Sequence, residues 1–230
     1  GKVAQLMTFG ANVVSVQGNY EETFELSKKA IDRWGWYNRN AAINPYLSEG
    51  KKTVGLEIME QLGWVVPDYI AISVGDGCTI AGLWKGLKDL YAIGFIDRLP
   101  RLISAQAEGC HPINRAIAEN KPWEPMEENT LADSIAVGVP RNADKALMAI
   151  RESNGIVVNV TDEEIMAAQK LVGRTCGVFG EPAGVTGAAG IKKLCQEGVI
   201  GAKDTVVSVI TGNGLKDVAN AIKSCGEPMS

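Results

Sequence analysis

Two kinds of hydrophobic pattern alternate along this chain. After Gly77, apolar residues recur at spacings of three and four, as on one face of a helix, and they are Ile80, Leu83, Trp84, Leu87 and Tyr91. Just before this helix, Tyr69–Val74 (YIAISV) is a short apolar run typical of a buried strand. The alternation predicts an α/β fold with a mostly parallel sheet flanked by helices.

The remaining elements extend this pattern over the whole chain. Further strands are predicted at Asn12–Val16, Arg101–Gln106, Ile156–Val160 and Thr205–Ile210. Further helices are predicted over Tyr20–Trp34, Thr53–Leu62, Asn142–Ser153, Ala183–Gln196 and a short closing segment.

Two local signals refine this assignment. Thr161 and Glu164 form a capping box that opens another helix reaching about Val172, because each side chain satisfies an orphan amide of the first turn. The stretch Gly35–Gly50 lacks either periodicity and contains Asn44-Pro45, so we expect the chain to cross between domains there. We predict that residues 1–46 are part of a small domain and that residues 47–230 form a large cofactor-binding domain.

Composition restricts the class of protein. With 46% hydrophobic and 22% charged residues among 230, the chain is expected to be a soluble globular protein. A net charge of −4 and the lack of a basic run argue against nucleic-acid binding. The longest uncharged stretch, Val3–Tyr20, contains polar residues such as Gln5 and Asn12, so no membrane span is predicted. No signal-peptide pattern is present at the start.

The cysteines and the single histidine disfavour metal and nucleophile chemistry. The five cysteines are Cys78, Cys110, Cys176, Cys195 and Cys225. They are scattered and form no CxxC pair, which favours a reducing cytoplasmic location. A nucleophile activated by histidine would have to use His111, the only histidine. Its sequence neighbour Cys110 is a poor candidate, because the side chains of adjacent residues rarely point to the same place. We therefore expect His111 to be a loop residue before Pro112, and we expect no metal site.

Two glycine-rich loops follow predicted strands. In a parallel sheet both loops lie at the carboxyl edge, where ligands bind; they are Gly75–Thr79 (GDGCT) and Thr211–Gly214 (TGNG). Glycine lets the backbone approach a ligand closely, and a helix N-terminus offers free amides to an anion. The first loop therefore reads as a phosphate cradle, although tight strand-to-helix turns also use glycine for steric reasons alone.

The sequence of the first loop favours a ligand with a single phosphate group over a diphosphate. It lacks the lysine of a Walker motif, and Gly75, Gly77 and Gly82 do not fit the GxGxxG spacing. Asp76 would repel a diphosphate unless its carboxylate is turned away. A phosphate monoester held by backbone amides and the Thr79 hydroxyl is the better prediction.

Longer strings of the sequence resemble a known family. Val74–Gly82 (VGDGCTIAG) is similar to the cofactor-phosphate loop of the threonine synthase family of pyridoxal-phosphate enzymes. Other stretches resemble the same family in the same order, from Gly1 to about Asp217, and they are Asn44–Tyr46, Glu49–Thr53, Gln106–Gly109, Ala132–Ile135, Pro140–Asn142, Glu181–Gly184 and Thr211–Asp217.

The resemblance implies a fold, a reaction and a set of site residues. It implies the fold type II, tryptophan synthase beta-like architecture, with a large cofactor domain and a small domain that covers the cofactor. The implied reaction is that of a lyase of threonine biosynthesis, within amino-acid biosynthesis, which converts O-phosphohomoserine and water into threonine and phosphate. The implied ligands of pyridoxal 5′-phosphate are the cradle residues Gly75, Asp76, Gly77, Cys78 and Thr79, with the Thr211 hydroxyl at the pyridine nitrogen. A strand-end cap is the alternative role for Thr211.

One departure from the family concerns the catalytic lysine. In this family a lysine that forms a Schiff base with the cofactor lies upstream of the part that matches Gly1, so we expect no catalytic lysine in this chain. Lys85 and Lys216 do not suit the role by their sequence context. Because the chain begins with Gly1 and its first methionine is Met7, we expect it to be processed, trimmed or cut from a longer protein. Because the resemblance implies that the lysine segment is absent, we expect the chain to be inactive alone. It would form a homodimer, as is usual in the family, or pair with the missing N-terminal segment.

A second departure concerns the substrate. The family usually shows Asn-Ser and an arginine that bind the substrate phosphate, whereas this chain has Ala41, Ala42 and Leu47 at the corresponding positions. A related lyase or ammonia-lyase acting on an unphosphorylated amino acid therefore stays open. A non-catalytic remnant that binds a phosphorylated ligand and a nucleotide-binding α/β module also stay open.

Overall fold

A parallel sheet forms the centre of the fold. The computed structural model describes residues 2–225, so Gly1 and residues 226–230, at the ends of the two predicted domains, lie outside it. Within that range the sheet has four strands in the order β3-β2-β1-β4, all pairing in parallel. The strands are β1 Tyr69–Ser73, β2 Arg101–Ala107, β3 Ile156–Val160 and β4 Val206–Ser208.

Helices pack on both faces of this sheet, and the part of the chain before β1 is also helical. Those of residues 2–225 are α1 Lys2–Thr8, α2 Tyr20–Trp34, α3 Pro45–Lys51, α4 Thr53–Gln61, α5 Cys78–Ala92, α6 Pro112–Glu119, α7 Ala143–Glu152, α8 Asp162–Cys176, α9 Pro182–Gln196 and α10 Val218–Cys225. None of these described helices has the length and apolar character needed to cross a bilayer.

Alternate residues of β1 face opposite layers of helices. Ile70 and Ile72 are fully buried in a core that they share with residues of α4, α5, α6 and α7. Ala71 is fully buried in a second core with residues of α8 and α9. This period of two is the side-chain alternation of a strand, and burial on both faces explains why YIAISV reads as a continuous apolar run.

The order in which strands are added to the sheet reverses at β1. From β1 the chain reaches β2 through α5, which packs on the first face of the sheet. It later returns to β4, on the other side of β1, through α8 and α9 on the second face. In such sheets a crevice opens at the carboxyl ends of the two strands that flank the reversal, which are here β1 and β4.

Most elements follow the sequence pattern. The α/β prediction is confirmed, α2 and β3 have the predicted bounds, and the other predicted helices and strands after residue 50 differ from the structure at their ends. The helix opened by Thr161 continues past Val172 to Cys176. The short helices α1 and α6 were not predicted, and α3 begins within the stretch Gly35–Gly50 that we expected to be irregular.

Two expectations are wrong. Asn12–Val16 is not a strand, because this run pairs with no strand of the described residues, and Val14 is 82% exposed. Apolar alternation makes a strand only where a sheet edge accepts its backbone groups. Tyr91 is 50% exposed rather than buried, because Leu90 takes the core-facing position in the last turn of α5.

The capping box of α8 gives a first testable prediction. The Thr161 hydroxyl accepts from the Glu164 amide at 3.2 Å, and the Glu164 carboxylate accepts from the Thr161 amide at 2.8 Å. We expect Thr161→Ala to lower the free energy of unfolding by about 1 kcal/mol, measured by urea denaturation. Thr175→Ala, near the other end of α8, is the control and is expected to change it by less than about 0.5 kcal/mol. Equal losses in both variants would show that the cap contributes nothing.

Candidate functional site

The candidate site is a cavity at the carboxyl ends of β1 and β4. The two strands are neighbours, with Ala71 opposite Ser208, so the loops that follow them meet at one edge of the sheet. The cavity has a volume of about 200 Å³. All six site residues predicted from the sequence line it together, and they are Gly75, Asp76, Gly77, Cys78, Thr79 and Thr211.

Gly77 fixes the shape of the loop. Its φ is +83°, a left-handed conformation that side chains disfavour. A Cβ added there would lie 2.7 Å from the Ala146 Cβ and 3.1 Å from the Asn142 carbonyl oxygen. The sequence therefore needs glycine at this position both for the backbone conformation and for the packing of α7 under the loop.

The loop presents a set of free donors to the cavity. Within residues 2–225, the amides of Gly75 through Ile80 donate no hydrogen bond to another protein group, and neither does the Thr79 hydroxyl. The first turn of α5 lies in this segment, so its partial positive charge adds to the amides. Such an arrangement binds an anion without a positively charged side chain.

Asp76 is turned toward the protein. One carboxylate oxygen accepts from the Arg141 amide at 2.9 Å, and the other accepts from the Tyr20 hydroxyl at 3.1 Å. The charge is thus engaged in holding the loop. Burial, followed by the charge of Asp76, raises the pKa of Tyr20 to about 12, so the hydroxyl keeps its proton as a donor at neutral pH.

Helix α2 is fastened to this loop by Arg141. Its guanidinium lies 4.0 Å from the centre of the Phe24 ring, pairs with Glu21 and donates to the Val139 carbonyl at 2.9 Å. Since the Arg141 amide also holds Asp76, one residue connects α2 with the cradle. The N-terminal part of the chain is thereby positioned beside the cavity.

Cys78, which lines the cavity, and Cys110, which does not, are both buried thiols with a raised pKa. Burial and the charge of Asp76 raise the pKa of Cys78, so this thiol is neutral at physiological pH. Burial also raises the pKa of Cys110. The ring nitrogen Nδ1 of His111 lies 2.7 Å from the Glu108 carbonyl oxygen, and His111 immediately precedes α6. Neither cysteine is set up for attack on a substrate.

Three polar residues of the cavity were not predicted from the sequence, and they are Lys51, Ser73 and Ser134. Lys51 and Ser134 lie within strings that resemble the family, Glu49–Thr53 and Ala132–Ile135. Nothing in the local pattern assigned them to the site, because each reaches it from a separate element. Ala41 also lines the cavity, whereas Leu47 does not.

Lys85 and Lys216 lie away from the cavity. Lys85 is paired with Glu49 at 3.3 Å and with Asp89 at 3.2 Å, outside the cavity lining. Lys216 is exposed in the 3-10 turn Gly214–Lys216 and is not part of the lining either.

The donor set fits a phosphate monoester. Free amides and one hydroxyl match the terminal phosphate oxygens, which only accept hydrogen bonds when ionised. Thr211, on the opposite loop, adds a neutral hydroxyl that makes no hydrogen bond to a described residue. The chain is an α/β protein with a cavity at the switch point of its sheet, and the donors of that cavity suit a phosphorylated small molecule.

Comparisons with known proteins identify the family. The family model described as "Pyridoxal-phosphate dependent enzyme" matches residues 1–212. The chain is 45% identical to the threonine synthase of Methanosarcina acetivorans over 230 residues and 42% identical to that of Methanocaldococcus jannaschii over 233. These alignments cover 99% and 100% of this chain but 56% and 57% of the relatives. The chain belongs to the pyridoxal-phosphate dependent enzyme family, as its resemblance to threonine synthases implies.

Solved structures support the same fold. Maize serine racemase matches with a TM-score of 0.76 at 22% identity, covering 97% of this chain and 66% of that protein. The processed threonine deaminase isoform 2 of Solanum lycopersicum matches with a TM-score of 0.77 at 20% identity, covering 98% and 63%. At these identities the likeness concerns the fold alone, and it confirms the expected fold type II architecture.

Proposed function

We propose that this chain is the cofactor-binding part of a pyridoxal-phosphate lyase of the threonine synthase type. The reaction of such an enzyme takes O-phosphohomoserine and water to threonine and phosphate. The observation that carries the proposal is the cradle of unpaired amides from Gly75 to Ile80, which opens into the cavity at the switch point. The threonine synthase relatives provide the reaction class.

The proposed roles are those that the family resemblance implies, and the lining of the cavity is compatible with them. The amides of Gly75–Thr79 and the Thr79 hydroxyl hold the cofactor phosphate, and Asp76 keeps the loop in place through Arg141 and Tyr20. By the same resemblance, the Thr211 hydroxyl would contact the pyridine nitrogen. Because a hydroxyl is neutral, it does not force a proton onto that nitrogen, as a carboxylate would. The cofactor supplies an electron sink for negative charge at the substrate α-carbon.

The apolar walls have a second role. Val74, Ile80, Ile135 and Ala183 line the cavity beside the polar groups. These side chains exclude water from the cofactor and thereby strengthen the hydrogen bonds of the cradle. The neutral Cys78 thiol adds no charge that would repel the phosphate.

A lyase acting on an unphosphorylated amino acid is the second candidate. It is favoured by Ala41, a cavity residue that offers no donor side chain, and by Leu47, which offers no cation. The discriminating assay uses the native polypeptide that contains this sequence. We expect O-phospho-L-homoserine to give threonine and phosphate in equal amounts. Release of ammonia from L-serine or L-threonine without that reaction would establish the second candidate instead.

The surroundings of the site support further proposals. We place the enzyme in the cytoplasm, with residues 1–46 as part of a small domain and residues 47–230 as the large domain. The small-domain part exposes apolar side chains, including Val14, Trp36 and Tyr37. Exposed apolar groups on this scale favour association, either as a homodimer or with a further segment of the enzyme.

Removal of the Thr79 hydroxyl tests the cradle. A hydrogen bond to an ionised group contributes about 1.5–3 kcal/mol, so we expect Thr79→Val to weaken binding of pyridoxal phosphate by about 10- to 100-fold in equilibrium dialysis. Thr53→Val, also at the start of a helix, is the matched control and is expected to leave the affinity unchanged. Unchanged affinity in Thr79→Val would remove Thr79 from the phosphate site.

A further inference from the structure

Lys51 stands out among the lysines close to the site. It lines the cradle cavity, yet its ammonium forms no ion pair or hydrogen bond with any other residue of 2–225. Its neighbour Lys52, in contrast, is paired with Glu49 at 3.2 Å and with Asp89 at 3.4 Å. An ammonium that has no protein partner and belongs to a residue lining this cavity is available to a ligand.

The position of Lys51 is fixed by a close contact between α3 and α5. A Cβ added at Gly82 would lie 2.6 Å from the Lys51 Cβ and 3.0 Å from the Ser48 carbonyl oxygen, so the two backbones touch there. Gly82 lies one turn after Cys78, and the charge of Lys51 acts on the Cys78 thiol. Lys51 is therefore held beside the first turn of α5, and the small side chain of Ala41 forms another part of the cavity wall.

The cofactor phosphate does not need this ammonium. A phosphate monoester has three terminal oxygens, and the free amides of Gly75 through Ile80 together with the Thr79 hydroxyl offer enough donors for all of them. Lys51 reaches the cavity from α3, an element separate from the cradle. Its three donors are thus left for a second anionic group in the same cavity.

We propose that Lys51 is the specificity-determining residue for the phosphate of an O-phosphorylated amino-acid substrate. This inference rests on the proposed function. The Lys51 ammonium would supply the positive charge that Leu47, one turn earlier on the same helix, does not provide. The lysine ammonium pairs with the substrate phosphate and leaves the cofactor phosphate to the amides. No covalent step is assigned to Lys51.

Two titrations separate this inference from the proposed function. The first measures binding of pyridoxal phosphate to the chain by equilibrium dialysis. The second measures binding of O-phospho-L-homoserine and of L-homoserine by calorimetry at saturating pyridoxal phosphate. If the unmodified chain does not bind pyridoxal phosphate, or does not favour O-phospho-L-homoserine over L-homoserine, the proposed function fails. If the unmodified chain shows both properties but Lys51→Met keeps the same preference, only the inference about Lys51 fails.

The variants then test Lys51 itself. We expect Lys51→Met to weaken binding of O-phospho-L-homoserine by about 10- to 100-fold and to change binding of L-homoserine and pyridoxal phosphate by less than about twofold. Lys51→Arg is expected to retain most of the affinity. The control is Lys145→Met, because Lys145 also forms no ion pair within the described residues but lines a neighbouring cavity. Loss of pyridoxal phosphate binding in Lys51→Met, or no effect on O-phospho-L-homoserine, would overturn the inference.

Discussion

Replacement of Gly77 by alanine is expected to abolish detectable binding of pyridoxal phosphate and to lower the free energy of unfolding by about 2–5 kcal/mol. The new Cβ would lie 2.7 Å from the Ala146 Cβ, and the φ of +83° is strained for alanine. Relief of this clash displaces the amides that form the cradle. Urea denaturation measures the stability, and equilibrium dialysis measures the binding.

Gly94→Ala separates backbone strain from the clash. Gly94 lies just after α5, the helix that Gly77 immediately precedes. Its φ is +80°, but an added Cβ would meet nothing within 4 Å. We expect this variant to lose about 1 kcal/mol of stability and to keep its affinity for pyridoxal phosphate. If both variants lost the same stability and both retained the ligand, the cradle would not depend on the packing of Gly77 against α7.

Ile72→Ala is expected to destabilise the protein by about 2–5 kcal/mol. Ile72 is fully buried in β1, in the core shared with α4, α5, α6 and α7, and its truncation leaves a cavity below the strand that carries the cradle. Urea denaturation followed by circular dichroism measures the loss. Because the strand leads directly into Gly75, we also expect weaker binding of pyridoxal phosphate.

Ile93→Ala is the matched control for this core substitution. Ile93 is 68% exposed at the end of α5, so the same truncation removes little buried surface. We expect a change below about 0.5 kcal/mol. A similar loss in both variants would mean that β1 does not form the core described above.

The sequence predicted the sheet and the helices where one local pattern decided the structure. The spacing of Ile80, Leu83 and Leu87 predicted α5, and these residues are buried as expected. The same reasoning failed at Asn12–Val16, because an apolar alternation does not reveal whether a sheet edge is available. Burial of Tyr91 was also wrong, since neighbouring positions of a helix compete for the core face.

The cradle could be predicted because its donors are consecutive in the chain. Gly75 to Thr79 form one loop, and the resemblance added Thr211. The supporting contacts join distant segments. The Tyr20 hydroxyl reaches Asp76 across 56 positions, and the Arg141 amide reaches it across 65. Lys51 was missed for the same reason, since only the packing of α3 on α5 brings it to the cavity.

We propose that this chain binds its cofactor mainly through the phosphate group. Equilibrium dialysis of the unmodified chain against pyridoxal 5′-phosphate and against pyridoxal, which lacks the phosphate, tests it most directly. Several hydrogen bonds to an ionised group distinguish the two ligands, so we expect pyridoxal phosphate to bind at least about 100-fold more tightly and inorganic phosphate to compete with it. Equal affinities for the two compounds, or no competition by phosphate, would contradict the account.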